Sequence, residues 1–220
     1  MDDGTAPTAA EQRRNNPDRI PALVDGTFAI IMTILVLEVG VPSDLSEQSL
    51  REALDEIGPT LMAWVISFLL VGMYWVWHRD LFVKVRAVNR DVVWLNLIFL
   101  LPVSLVPFAA AVLGDYHDEA IALHVYGGVL IAVSLVRIAL YRYLSRRPHL
   151  LWEPIPDRER RLGIGLSCVP IAFYIVAMIV ADAAHQVSLV LYLIVPGVYF
   201  LAVTVLRDRP ATAGDAGDFS

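Results

Sequence analysis

Apolar positions along this chain fall into long blocks separated by short polar gaps. Six blocks stand out, at residues 20–41, 59–78, 92–113, 120–141, 162–181 and 186–206. Each is close to the roughly 20 residues that carry a helix, rising about 1.5 Å per residue, across a hydrocarbon core of about 30 Å. The pattern predicts an all-α polytopic membrane protein of six crossings, with residues 18–206 as one transmembrane unit and no soluble domain. The two ends, 1–17 and 207–220, are too polar to bury a core and are expected to be disordered tails. The first apolar block is too long for the core of a cleaved signal peptide and starts well into the chain.

Charge orients the blocks, because cytoplasmic loops retain Lys and Arg. Arg13, Arg14 and Arg19 precede the first block; Arg79, Lys84, Arg86 and Arg90 separate the second from the third. Arg142, Arg146, Arg147, Arg158, Arg160 and Arg161 separate the fourth from the fifth, and Arg207 and Arg209 follow the sixth. The alternate loops carry Asp44, Glu47, Glu52, Asp55 and Glu56, then Asp115, Asp118 and Glu119, then Asp182, with Arg51 as their single base. Both termini are therefore expected in the cytoplasm of a cell whose plasma membrane the chain crosses. An odd number of crossings would break the alternation.

Composition agrees: 57% hydrophobic, 18% charged and a mean hydropathy of +0.59 exceed what a soluble core requires. A net charge of −6 argues against nucleic acid as a partner. No phosphate-binding loop, dinucleotide fingerprint, HExxH or GxSxG occurs, and nothing in the chain predicts an enzyme or a cofactor. The single cysteine, Cys168, excludes an internal disulfide and is expected to pack as a small apolar group. His117 beside Asp115, Asp118 and Glu119 reads as a solvated acidic loop rather than a cation site. Trp64, Trp75, Trp77, Trp94 and Trp152 fall near block ends, where interfacial aromatics belong. Pro102, Pro107, Pro170 and Pro196 are expected to kink their helices, and Gly127, Gly128, Gly163 and Gly165 to mark close helix approach.

The first block holds the strongest chemical signal. An acid inside a membrane segment requires a partner or water, and Asp25 lies inside this one, with Arg19 near the interface. The stretch Arg19-Ile-Pro-Ala-Leu-Val-Asp-Gly26 resembles the RxxxFSDG signature of the transmembrane protein 175 family of potassium channels. Trp75-Val-Trp-His78 and the segment from Asn96 to Phe108 resemble its other recurrent segments, so the likeness covers about residues 19–110. It departs at Leu23, where Phe is usual, and at Val24, where Ser is usual, which removes a hydroxyl from the packing around the signature.

The resemblance implies a homotetrameric cation channel without a TVGYG carbonyl filter, four first helices surrounding one axis, and K⁺ as the permeant ion. The constriction carries over to Ile30, Ile34 and Leu37, spaced as one helix face, with Thr33 as a polar residue among them. Arg19, Asp25 and Gly26 are expected to join His78 and Asn96 in a network fixing this helix to its scaffold. Glu38, with Asp44 and Glu47 beyond it, forms a candidate outer collar that would concentrate cations. The expected partners are further copies of the chain, membrane lipid and monovalent cations. A secondary transporter is the alternative, although the second half of the chain has no counterpart to residues 19–38.

Overall fold

The computed structural model describes residues 19–40 and 57–207, with side chains up to residue 198. The expected tails therefore lie outside the described residues, apart from Arg207. So do Asp44 and Glu47 of the outer collar. Seven helices account for nearly all the rest: α1 (Arg19–Leu37), α2 (Gly58–Phe82), α3 (Arg90–Ser104), α4 (Val106–Asp115), α5 (Ala120–Ser145), α6 (Asp157–Val180) and α7 (His185–Arg207).

Five spans are long and apolar enough to cross a bilayer: α1, α2, α3 with α4, α5 and α6. The sixth, α7, has 23 residues and rises about 34 Å. The third crossing is interrupted only at Leu105, two residues before Pro107, whose ring nitrogen cannot donate to the carbonyl of Val103. Pro102, Pro170 and Pro196 instead stay within continuous helices. Local chemistry starts the helices where the sequence changes character. Asn89 caps α3 by accepting from the amide of Val92 at 3.0 Å, and Pro59 occupies the first turn of α2.

Within the protomer α5 is central, packing on α3, α4, α6 and α7, while α1 rests on α2, α3 and α4. Close crossings occur where glycine removes a side chain. A Cβ at Gly114 would stand 3.0 Å from Cα of Thr60, and one at Gly127 would collide with Met178 and the Tyr192 hydroxyl. Gly163 is overlain by the Tyr141 ring, whereas Gly128 and Gly165, also expected at close approaches, face open space. Cys168 differs from expectation too: it is exposed on α6, because the buried face of that helix is carried by Ser167, Tyr174 and Ala177.

On the arginine-rich side, the α2–α3 and α5–α6 loops join through an antiparallel bridge between Val85 and Leu151. Backbone bonds from Arg86 to the Leu150 carbonyl (2.8 Å) and from Trp152 to the Lys84 carbonyl (3.0 Å) flank it. The Lys84–Glu159 ion pair at 3.1 Å ties this ledge to the first turn of α6.

Candidate pore helix and its anchoring contacts

One face of α1 is buried and the other is not. Ile20, Val24, Phe28, Ile31 and Leu35 form the buried stripe. On the flank away from it, Ile30 is 60% exposed, Ile34 38% and Leu37 77%. An apolar stripe left open in the protomer must face lipid or another chain, since water would penalise it by roughly 25 cal/mol per Å². Thr33 is exposed beside this stripe, and its hydroxyl donates back to the Ile30 carbonyl at 2.8 Å rather than to a neighbouring helix. Thr27 does the same toward Leu23 at 2.8 Å. Gly26 has nothing within 4 Å of a Cβ position, and Glu38, just past the helix end, is exposed.

The expected network divides into two contacts. His78 and Asn96, each 1% exposed, bond at 2.8 Å between α2 and α3. Asn96 Nδ2 donates to the Val92 carbonyl at 2.7 Å, which turns its Oδ1 toward His78 and makes the His78 Nε2–H the donor. Asp25 makes no hydrogen bond to this pair and acts on His78 only through its charge. Its carboxylate accepts from the Trp75 indole N–H at 2.7 Å, because it lies on the α2-facing side of α1 and is exposed rather than buried. Arg19 has no hydrogen-bond or ion-pair partner among the described residues, so it does not join the network within one protomer; it is exposed at the first residue of α1.

Aromatic packing makes the link that the polar groups do not. Phe28 of α1 meets Phe99 of α3 at 6.2 Å between ring centroids, and Phe99 in turn meets Trp77 at 6.1 Å and His78 at 5.8 Å. Trp75 and Trp77 are thus part-buried members of the helix contacts rather than belt residues, while Trp94 and Trp152 are exposed as interfacial anchors should be. Met32 of α1 fits over Gly72 of α2, 3.3 Å from where a Cβ would stand. Val24, at the position where the family signature carries serine, is fully buried, so apolar contact takes the place of the lost hydroxyl.

Sequence reasoning passed over Arg137. This side chain, 6% exposed, lies within the fourth apolar block; its guanidinium sits 5.2 Å from the Trp77 ring centroid and donates to the Ser167 carbonyl at 3.2 Å. An ionisable residue inside an otherwise apolar run was the available signal. Nearby, Ser67 bonds the Tyr126 hydroxyl at 2.8 Å, Tyr74 bonds Tyr174 at 3.2 Å, and Tyr192 donates to the Leu123 carbonyl at 2.8 Å, so these buried tyrosines are paired between helices. His117 contacts Asp118 at 3.4 Å, and no three potential metal ligands converge among the described residues.

Comparison with known proteins gives concordant matches. Residues 19–107 match the family described as endosomal/lysosomal potassium channel TMEM175. A potassium channel of Streptomyces collinus is 39% identical over 65% of this chain and 71% of its own length. One of Chamaesiphon minutus is 31% identical over 73% of this chain and 85% of its own. The human endosomal/lysosomal proton channel TMEM175 is 32% identical, but the match spans only 27% of that longer protein. The crystal structure of the lysosomal potassium-selective channel TMEM175 homologue from Chamaesiphon minutus superposes with a TM-score of 0.74 at 25% identity, covering 88% of this chain and 98% of that one.

Proposed function

The chain belongs to the endosomal/lysosomal potassium channel TMEM175 family, and from that premise we propose that it is a K⁺-permeable cation channel, not an enzyme, with its pore lined by α1 of four subunits. The observation that carries this reading is the open apolar stripe of Ile30, Ile34 and Leu37 on a helix anchored by its other face. Four such stripes about one axis would stack three rings over roughly 10 Å. Ile and Leu offer no oxygen to replace hydration water, so an ion passes partly hydrated or the tube dewets and closes. Potassium gives up water more readily than sodium, and weak to moderate K⁺ preference follows. Thr33 and Thr27 spend their hydroxyl protons inside the helix, leaving oxygen lone pairs as the polar lining.

The protein is a multi-pass membrane protein, for which we infer the plasma membrane and cytoplasmic termini from the arginine distribution. Glu38 stands at the end of α1 where an outer collar would draw cations in. The test is the reversal potential of the purified protein in planar bilayers under a K⁺/Na⁺ bi-ionic gradient, repeated for Ile30→Asn. The expected result is a K⁺-directed potential that shrinks in the variant. Absence of current from folded, tetrameric protein would put a secondary transporter ahead, and an unchanged potential in Ile30→Asn would move the filter away from α1.

A further inference from the structure

The outward face of α6 is apolar along its length and crowned by charge at one end. Leu162, Leu166, Val169, Val176 and Ile179 are all exposed, with Leu166 at 71%. At about 100° per residue, Arg158, Leu162, Gly165 and Val169 fall close to one line on that face, with Arg161 and Leu166 beside it. Gly165 has no atom within 4 Å of a Cβ position, which leaves a notch between its leucine neighbours.

The charges of the first turn are sorted by side. Asp157 is taken by Arg160 at 2.7 Å and Glu159 by Lys84 at 3.1 Å, so both acids are neutralised. Arg158 and Arg161 are exposed and have no ion-pair or hydrogen-bond partner among the described residues. Residues 162–180 rise about 28 Å, close to the full hydrocarbon thickness of about 30 Å, which sets both guanidinium groups at headgroup depth. The exposed indole of Trp152 lies a few residues upstream, where an interfacial anchor belongs. Within the protomer α6 packs on α5 and α7 while α1 packs on α2, α3 and α4, so this face belongs to a part of the bundle separate from the candidate pore helix.

We propose that the arginine-bearing end of α6 is a binding site for an anionic phospholipid, its phosphate held by Arg158 and Arg161 and an acyl chain laid along Leu162, Gly165, Leu166 and Val169. Charge complementarity selects this occupant: two bases without acids sit at the depth of the phosphates, above a surface that only hydrocarbon wets.

Native mass spectrometry of the purified full-length protein, delipidated and titrated with phosphatidylglycerol or phosphatidylcholine, counts the bound lipids. The wild type should retain phosphatidylglycerol in preference. R158Q/R161Q should weaken that retention about 25-fold, at about fivefold per base beside an anionic surface. R158K/R161K should keep it, and so should R86Q/R90Q, which takes the same charge from the neighbouring α2–α3 loop and the first residue of α3. Unchanged retention in R158Q/R161Q overturns the site. So does an equal loss in R86Q/R90Q, which would make the attraction general to the basic side, or equal retention of the two lipids by the wild type.

Discussion

Replacing Asn96 by Leu and His78 by Phe, singly and together, probes the contact that joins α2 to α3 behind the pore helix. His78 lies between Phe82 (4.2 Å between centroids) and Phe99 (5.8 Å), so phenylalanine can keep the stack while losing the N–H. In His78→Phe the Asn96 Oδ1 is left without its donor. In Asn96→Leu the imidazole N–H is left without its acceptor. Each orphaned group is fully desolvated, at a cost of about 1–3 kcal/mol. The loss of the Asn96 bond to Val92 adds little, because that carbonyl still accepts the helical amide of residue 96. Removing both partners leaves apolar surfaces of similar shape, so the double variant should cost less than the larger single. The coupling energy should therefore exceed the cost of the smaller single, at least about 1 kcal/mol, above the roughly 0.6 kcal/mol average of interhelical hydrogen bonds in membranes because both groups are buried. Reversible unfolding of the four proteins in mixed micelles gives the cycle. A double variant costing the sum of the singles would refute the reasoning, since the two side chains would then act independently.

Two further expectations rest on packing and on charge. Gly127→Ala should lower stability by about 1–3 kcal/mol by driving a methyl into Met178, while Gly128→Ala next to it should be neutral or slightly stabilising, measured by the same unfolding assay; equal effects would contradict the α5–α6–α7 packing. Arg137→Lys keeps the charge but loses the flat group that lies over Trp77 and reaches Ser167, so a destabilisation of about 1–2 kcal/mol is expected, and a neutral outcome would show that charge alone matters there.

The polar contacts around α1 show how far a one-dimensional reading reaches. His78 and Asn96 were expected near one another from their matching depth, and they bond. Depth alone places Asp25 in the same group, yet its position around the helix decides its hydrogen-bond partner, and that direction leads to Trp75. The same rule applies to the glycines: Gly127 and Gly128 are adjacent in sequence, but only the one turned toward α6 and α7 is a contact point. Arg137 went unread because its block is apolar on average, and an average conceals one charge.

Block lengths determined by themselves that the chain is a helical membrane protein, and five of the spans they mark are long and apolar enough to cross a bilayer, because bilayer thickness and the cost of burying backbone polar groups admit few other solutions. The open stripe of Ile30, Ile34 and Leu37 could be placed on a helix face from spacing, but that the opposite face is the buried one was not readable, since α1 is apolar all round. Only the tertiary structure decided that, by setting Phe28 on Phe99 and Met32 over Gly72. In a bilayer, hydrophobicity says that a side is not in water; which side meets protein is settled by shape.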